Sequence, residues 1–98
     1  MHEHGLAKEL WPQLKQIARD LGFATVSEVD LTIGSLHGAS AEFLAHSFEH
    51  AFEGSSFDGA KVTVLVVEPG DAYAAPNVDE PQTANGWEIF ITKIEGEK

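Results

Sequence analysis

The sequence predicts an α+β domain with two helices packed on one face of a three-stranded mixed sheet, in the order α-β-α-β-loop-β. Three observations carry this. An apolar stripe at helical spacing runs from Leu6 to Leu21, a strand-like alternation covers Glu28 to Ile33, and a β-branched run starts at Lys61. Ninety-eight residues allow one core and one domain, residues 1–98.

Leu6, Leu10, Leu14, Ile17, Ala18 and Leu21 share one face of the first helix. Lys15 and Arg19 lie towards its negative end, and Gly22 is a natural stop. Pro12 removes one helical hydrogen bond, and it sits opposite Leu10, so a bend around the core is expected. Val29, Leu31 and Ile33 alternate with Glu28, Asp30 and Thr32, as in a half-buried strand. A turn over Gly34–Gly38 leads to Ser40, the N-cap of a second helix. Its buried face is Phe43, Leu44, Ser47, Phe48 and Ala51, and Gly54 ends it. Lys61 to Glu68 is apolar on both faces, which predicts a central strand. Pro69 to Gly86, with Pro69, Pro76 and Pro81, reads as a long loop. Trp87 to Glu95 is the last strand, with Trp87, Ile89 and Ile91 on one face. Phe90 and Ile94 turn the other way, with Leu65 and Val67.

Composition removes several functions. The chain has no cysteine, so disulfides, thiolate zinc sites, iron–sulfur clusters and cysteine nucleophiles are excluded. Any metal falls to histidine, carboxylate or backbone nitrogen. A net charge of −10 disfavours nucleic acid, whose phosphates need a basic surface. It suits a cation or a basic protein partner, or serves solubility alone. The longest apolar run, Val64 to Val67, is far too short to span a membrane. With no secretory-type start, the expected location is the cytoplasm. The serines form no nucleophile elbow and the glycines no phosphate loop, so an enzyme is not expected.

The first residues, Met1-His2-Glu3-His4, carry the chemistry. The free α-amine, the amide nitrogen of His2 and its imidazole close adjacent chelate rings around one metal ion. The amide of Glu3 supplies a fourth nitrogen in the same plane. Such a set suits Ni(II) or Cu(II). His4 or the Glu3 carboxylate can reach an axial position. Read without context, the same residues are a frayed, histidine-bearing terminus.

The context is Met1-His2-Glu3 leading into Leu6-Ala7, then Leu31-Thr32-Ile33-Gly34, Phe48-Glu49, Gly54 and Gly59-Ala60-Lys61. Gly86-Trp87-Glu88-Ile89 and Ile94-Glu95 follow. In order and spacing these resemble the nickel-binding domain of the hydrogenase nickel-incorporation protein family (HypA/HybF type), over about residues 1–68 and 86–95. The resemblance implies a nickel metallochaperone with Ni(II) at Met1, His2 and Glu3, with His4 beside them. It further implies delivery to [NiFe]-hydrogenase maturation, and in some organisms to urease, with a maturation GTPase and the hydrogenase large subunit as partners. The family carries a zinc domain with two CxxC pairs between its last two strands. Here residues 69–86 take that place, so no zinc is expected.

His46 and His50 stand four apart on the second helix, opposite Leu44 and Phe48, where a solvated face is the simpler reading. His37 lies in the turn after the first strand, as a turn residue, a supporting group or a further ligand. The rival to the metallochaperone is an interaction module that keeps the fold without carrying metal. Leu65, Val67, Phe90 and Ile94 are expected to form an apolar patch on the uncovered sheet face. That patch would serve a homodimer or a larger partner, unless the loop folds over it with Tyr73 and Val78.

Overall fold

The rest of the chain is built around strand β1, Thr25–Gly34. In the computed structural model, which describes the backbone of residues 3–98 and the side chains of residues 5–98, β1 lies between two partners. Strand β2 (Lys61–Val67) runs parallel to it, from Glu28↔Lys61 to Gly34↔Val67. The other neighbour is antiparallel, and it is the last strand of the chain, Ile89–Glu97. The sheet is thus mixed and three-stranded, as expected. The central strand is β1, not the strand beginning at Lys61. Apolarity on both faces of β2 reflects cover at its two ends: Val62 and Val67 are buried, whereas Leu65 is 55% exposed. Of the acidic residues on β1, Glu28 has Lys93 of the last strand at 3.7 Å, a lysine that also bridges Glu95 on its own strand at 3.3 Å.

Helix α1 spans Glu3–Leu21 and buries Leu6, Ala7, Leu10, Leu14 and Ala18. Leu21, expected on this stripe, is 46% exposed, because the helix ends there and Gly22 turns the chain at φ 76. Pro12 is accommodated within the helix on its exposed side. A half-buried residue outside the predicted stripe, Trp11, packs on Phe52 and Phe57 at 5.3 and 4.9 Å between ring centroids. Its other side carries Lys15 Nζ, 5.3 Å from the ring centroid.

Helix α2 (Ala41–Ala51) begins as predicted: Ser40 Oγ accepts from the Phe43 N–H at 3.1 Å. Leu44, Ser47 and Phe48 are buried, but Phe43 is 64% exposed and Ala51 is exposed too. The face that meets the sheet is centred on Leu44, Phe48 and Phe52, which places Phe43 off to one side.

Two bulges correct the expected faces of the last strand. Val26↔Gly96 is followed by Glu28↔Glu95, and Asp30↔Lys93 by Leu31↔Ile91, leaving Ser27 and Thr92 as extra residues. Their hydroxyls donate to Glu95 O at 3.3 Å and Asp30 O at 3.1 Å. The extra residue at Thr92 inverts the alternation, so Ile94 packs on the core beside Ile89 and Ile91.

Residues 69–86 are not an open loop. Strands β3 (Ala72–Tyr73) and β4 (Gln82–Thr83) pair antiparallel within them, which makes the last strand β5. Bonds from Gly70 N to Ala84 O (2.9 Å) and from Ala84 N to Asp71 O (2.7 Å) extend the ladder. Tyr73 stacks on Phe90 at 5.8 Å, Ala84 is buried and Val78 is 45% exposed. The predicted patch is therefore broken up. Val67 is buried, Ile94 faces the core, Phe90 lies under Tyr73, and Leu65 alone is left widely exposed. Replacing residues 72–84 by a Gly/Ser linker is expected to cost about 1–2 kcal/mol, mainly the aromatic pair, while unfolding stays cooperative. Urea unfolding of the two proteins checks this. No helix among the described residues is long and apolar enough to cross a membrane.

Candidate functional site

Which ends of the elements lie together is set by chain direction. Only Gly22, Phe23 and Ala24 separate α1 from β1, and Phe23 N bonds back to Ala18 O at 3.0 Å, so the helix returns antiparallel along the strand. A helix of 19 residues is about 28 Å long and a strand of 10 about 33 Å. The start of α1 at Glu3 therefore lies towards the end of β1 at Gly34. The start of α2 is there too, because α2 follows β1 after a short turn, as is the start of β5, because Ile33 pairs with Ile89.

This end is closely knit. A Cβ on Gly34 would lie 2.1 Å from Gly86 C and O and 2.5 Å from Trp87 N, so only glycine permits the approach. Gly34 N donates to Glu88 O at 2.8 Å, and Leu36 N donates to Gly86 O at 2.9 Å. The Glu88 side chain, only 7% exposed, accepts from Asn85 N at 2.8 Å and Gly86 N at 3.0 Å. Burial alone would raise its pKa. The backbone N–H groups of Asn85, Glu88 and Gly86, with His37 nearby, outweigh burial and hold it below the ordinary value.

That direction has a consequence for stability. A carboxylate with a depressed folded pKa adds stability that is fully present above its unfolded value near 4.5. The contribution is lost as pH falls from there through the folded value. Glu88→Gln is expected to lose about 1–2 kcal/mol at pH 7 and to flatten this acid limb. Urea melts of both proteins across pH 3–7 test it, and parallel curves would refute the assignment.

His37 closes a short 3-10 turn, Ser35–His37, which Gly38 ends with φ 75. Its Nε2 lies 3.0 Å from Trp87 O, and its ring meets Trp87 edge to face at 5.4 Å. A carbonyl oxygen only accepts, so Nε2 is the donor, and in the neutral ring Nδ1 keeps its lone pair.

The expected nickel ligands fall partly outside the described residues: Met1 and His2 entirely, and Glu3 and His4 in their side chains. His46 and His50 are exposed on the outer side of α2, and His50 Nδ1 pairs with Glu53 Oε1 at 2.7 Å. Among the described residues no three histidine, aspartate or glutamate side chains converge as a metal site. Sequence reasoning did not assign Glu88 a role. The available signal was a glutamate two residues beyond Asn85-Gly86, a turn whose N–H groups a carboxylate can satisfy.

The sequence matches the family described as hydrogenase/urease nickel incorporation, metallochaperone, hypA, over residues 1–72. Hydrogenase maturation factor HypA of Azorhizobium caulinodans is 34% identical over 68 residues, which cover 69% of this chain and 60% of that protein. The protein of the same name from Rhodobacter capsulatus is 35% identical over 72 residues, 74% of this chain and 63% of its own. The matched stretch thus covers less than two thirds of these relatives. The solution structure of the Ni metallochaperone HypA from Helicobacter pylori has the same fold, with a TM-score of 0.66 and 16% identity. That likeness covers 99% of this chain and 98% of that one.

Proposed function

The chain belongs to the hydrogenase/urease nickel-incorporation metallochaperone family, and from that premise we propose that it carries Ni(II) at its N-terminus for [NiFe]-hydrogenase maturation. The family is one of metallochaperones, not enzymes. The observation that carries the reading is that the family match takes in Met1-His2-Glu3, the residues whose nitrogens can enclose a planar ion. When the chain starts at Met1, the α-amine, the His2 amide and imidazole and the Glu3 amide are the nitrogens from which a planar set is drawn. His4 or the Glu3 carboxylate stands ready for an axial place. A maturation GTPase and the hydrogenase large subunit are the partners in this reading, and urease is a second recipient where it is present. Both fit a cytoplasmic site of action.

Residues 69–86 stand, in this proposal, where the family's zinc domain would be. They have no cysteine and close as a hairpin against Phe90, so the domain is completed without thiolate zinc. The apolar patch expected on the second sheet face, for a homodimer or a larger maturation partner alike, is reduced to Leu65 beside the Tyr73–Phe90 pair. The alternative, an interaction module without metal, draws on the match ending at residue 72.

Competition calorimetry on protein with a native amino terminus separates the two. A planar nitrogen site should bind Cu(II) more tightly than Ni(II), and both far more tightly than Zn(II). It should release the metal in acid, because the amine and imidazole must be deprotonated. Zinc ranking first, or no tight nickel binding, would rule the site out.

A further inference from the structure

Resting on the N-terminal reading above, we propose that His37 is an additional nickel ligand, binding through Nδ1 from the turn after β1. Placement is the first support. The helix that begins at Glu3 starts towards the same end of the sheet as the Ser35–His37 turn, so its first described residue and this imidazole lie towards one end of the domain. The remaining described histidines, His46 and His50, lie on the outer side of α2, and His50 is paired with Glu53.

The second support is the state of the ring. Histidines that bind metals usually give their other ring N–H to a carbonyl or carboxylate, which fixes tautomer and orientation. His37 already has that arrangement. Nε2 donates to Trp87 O at 3.0 Å, and the Trp87 ring packs edge to face against the imidazole. The Trp87 backbone is held in turn, since its main-chain N–H donates to Asn85 Oδ1 at 2.8 Å. The half-buried ring is held by contacts that do not use Nδ1. The buried Glu88 carboxylate, held by the Asn85 and Gly86 N–H groups, adds a negative charge at the same end of the domain.

The nitrogen plane of the terminus leaves axial positions open, and a nitrogen from His37 would fill one. Four-coordinate planar Ni(II) is diamagnetic, whereas a fifth nitrogen above the plane favours a paramagnetic ion. The proposal is therefore read from the ring itself.

The test is nuclear magnetic resonance of the histidine rings in native-terminus protein titrated with Ni(II) alone. Calorimetry of His37→Ala and His2→Ala accompanies it. The expected result is that His37 and His2 ring signals change together within the first equivalent. His37→Ala should weaken binding by about ten- to a hundredfold with unchanged circular dichroism. If His37 signals stay fixed while those of His2 change, His37 is no ligand and the N-terminal site stands. Full affinity in His37→Ala has the same meaning. Tight binding that survives in His2→Ala overturns the N-terminal site itself. Should His37→Ala misfold, the wild-type ring signals alone decide.

Discussion

Gly34→Ala should destabilise the domain by about 3 kcal/mol or more, a large share of the stability of a chain this small. The backbone at Gly34 is ordinary, with φ −72 and ψ 142, so conformational strain is not the reason. Space is. The new Cβ would meet Gly86 C and O at 2.1 Å, and these are backbone atoms that no rotamer change can move aside. To admit the methyl group, the start of β5 must leave the end of β1. The Gly34–Glu88 and Leu36–Gly86 bonds would be lost, and with them the footing of the Glu88 carboxylate and the His37–Trp87 pair. Gly38→Ala is the control. Its φ of 75 carries a left-handed penalty of about 1–2 kcal/mol, but nothing lies within 4 Å of the added carbon. Urea unfolding should rank Gly34→Ala as clearly the more damaging. Equal and small losses would show that the two segments separate easily, and the account of this end of the fold would fail.

How much of this was legible beforehand depended on the kind of signal. The stripe from Leu6 to Ala18, the Ser40 cap and the alternation in β1 are local patterns, and each reappears where its period placed it. Features that depend on distant partners were not legible. Nothing near Thr92 announces a bulge, yet that residue decides which face Ile94 takes. Strand β2 looked central because its apolar residues alternate poorly, but a β-α-β unit leaves it at the edge. The segment 69–86 looked like a loop because its strands are 2 residues long and flanked by prolines. Its closure relies on the Tyr73–Phe90 stack across the sheet face. For the site, the proposed chelate at Met1-His2-Glu3 rests on sequence because its nitrogens are adjacent in the chain. The tautomer of His37 was not legible, since it is set by a carbonyl 50 residues away.

His2→Ala should weaken the tight Ni(II) site by at least about a hundredfold, roughly 2.7 kcal/mol, while the circular dichroism is unchanged. In the proposed site the imidazole would close one chelate ring and anchor the deprotonated amides beside it, so its loss would remove more than one bond. The fold should not notice. Among the described side chains the core begins at Leu6, and none of the fold's described contacts uses the His2 side chain.

The central claim is that the α-amine of Met1 belongs to the metal site, and acetylation of that amine isolates it. Nickel calorimetry would be run on protein beginning at Met1, verified by mass, and on the same protein with the Met1 amine acetylated. Acetylation keeps every side chain, including His2, Glu3, His4 and His37, and removes only the amine lone pair. A one-residue extension would instead put the histidine third and create a new planar chelate. We expect the acetylated protein to lose the tight site nearly as fully as His2→Ala does. Full affinity in the acetylated protein would contradict the account and move the search for the nickel site to His46 and His50.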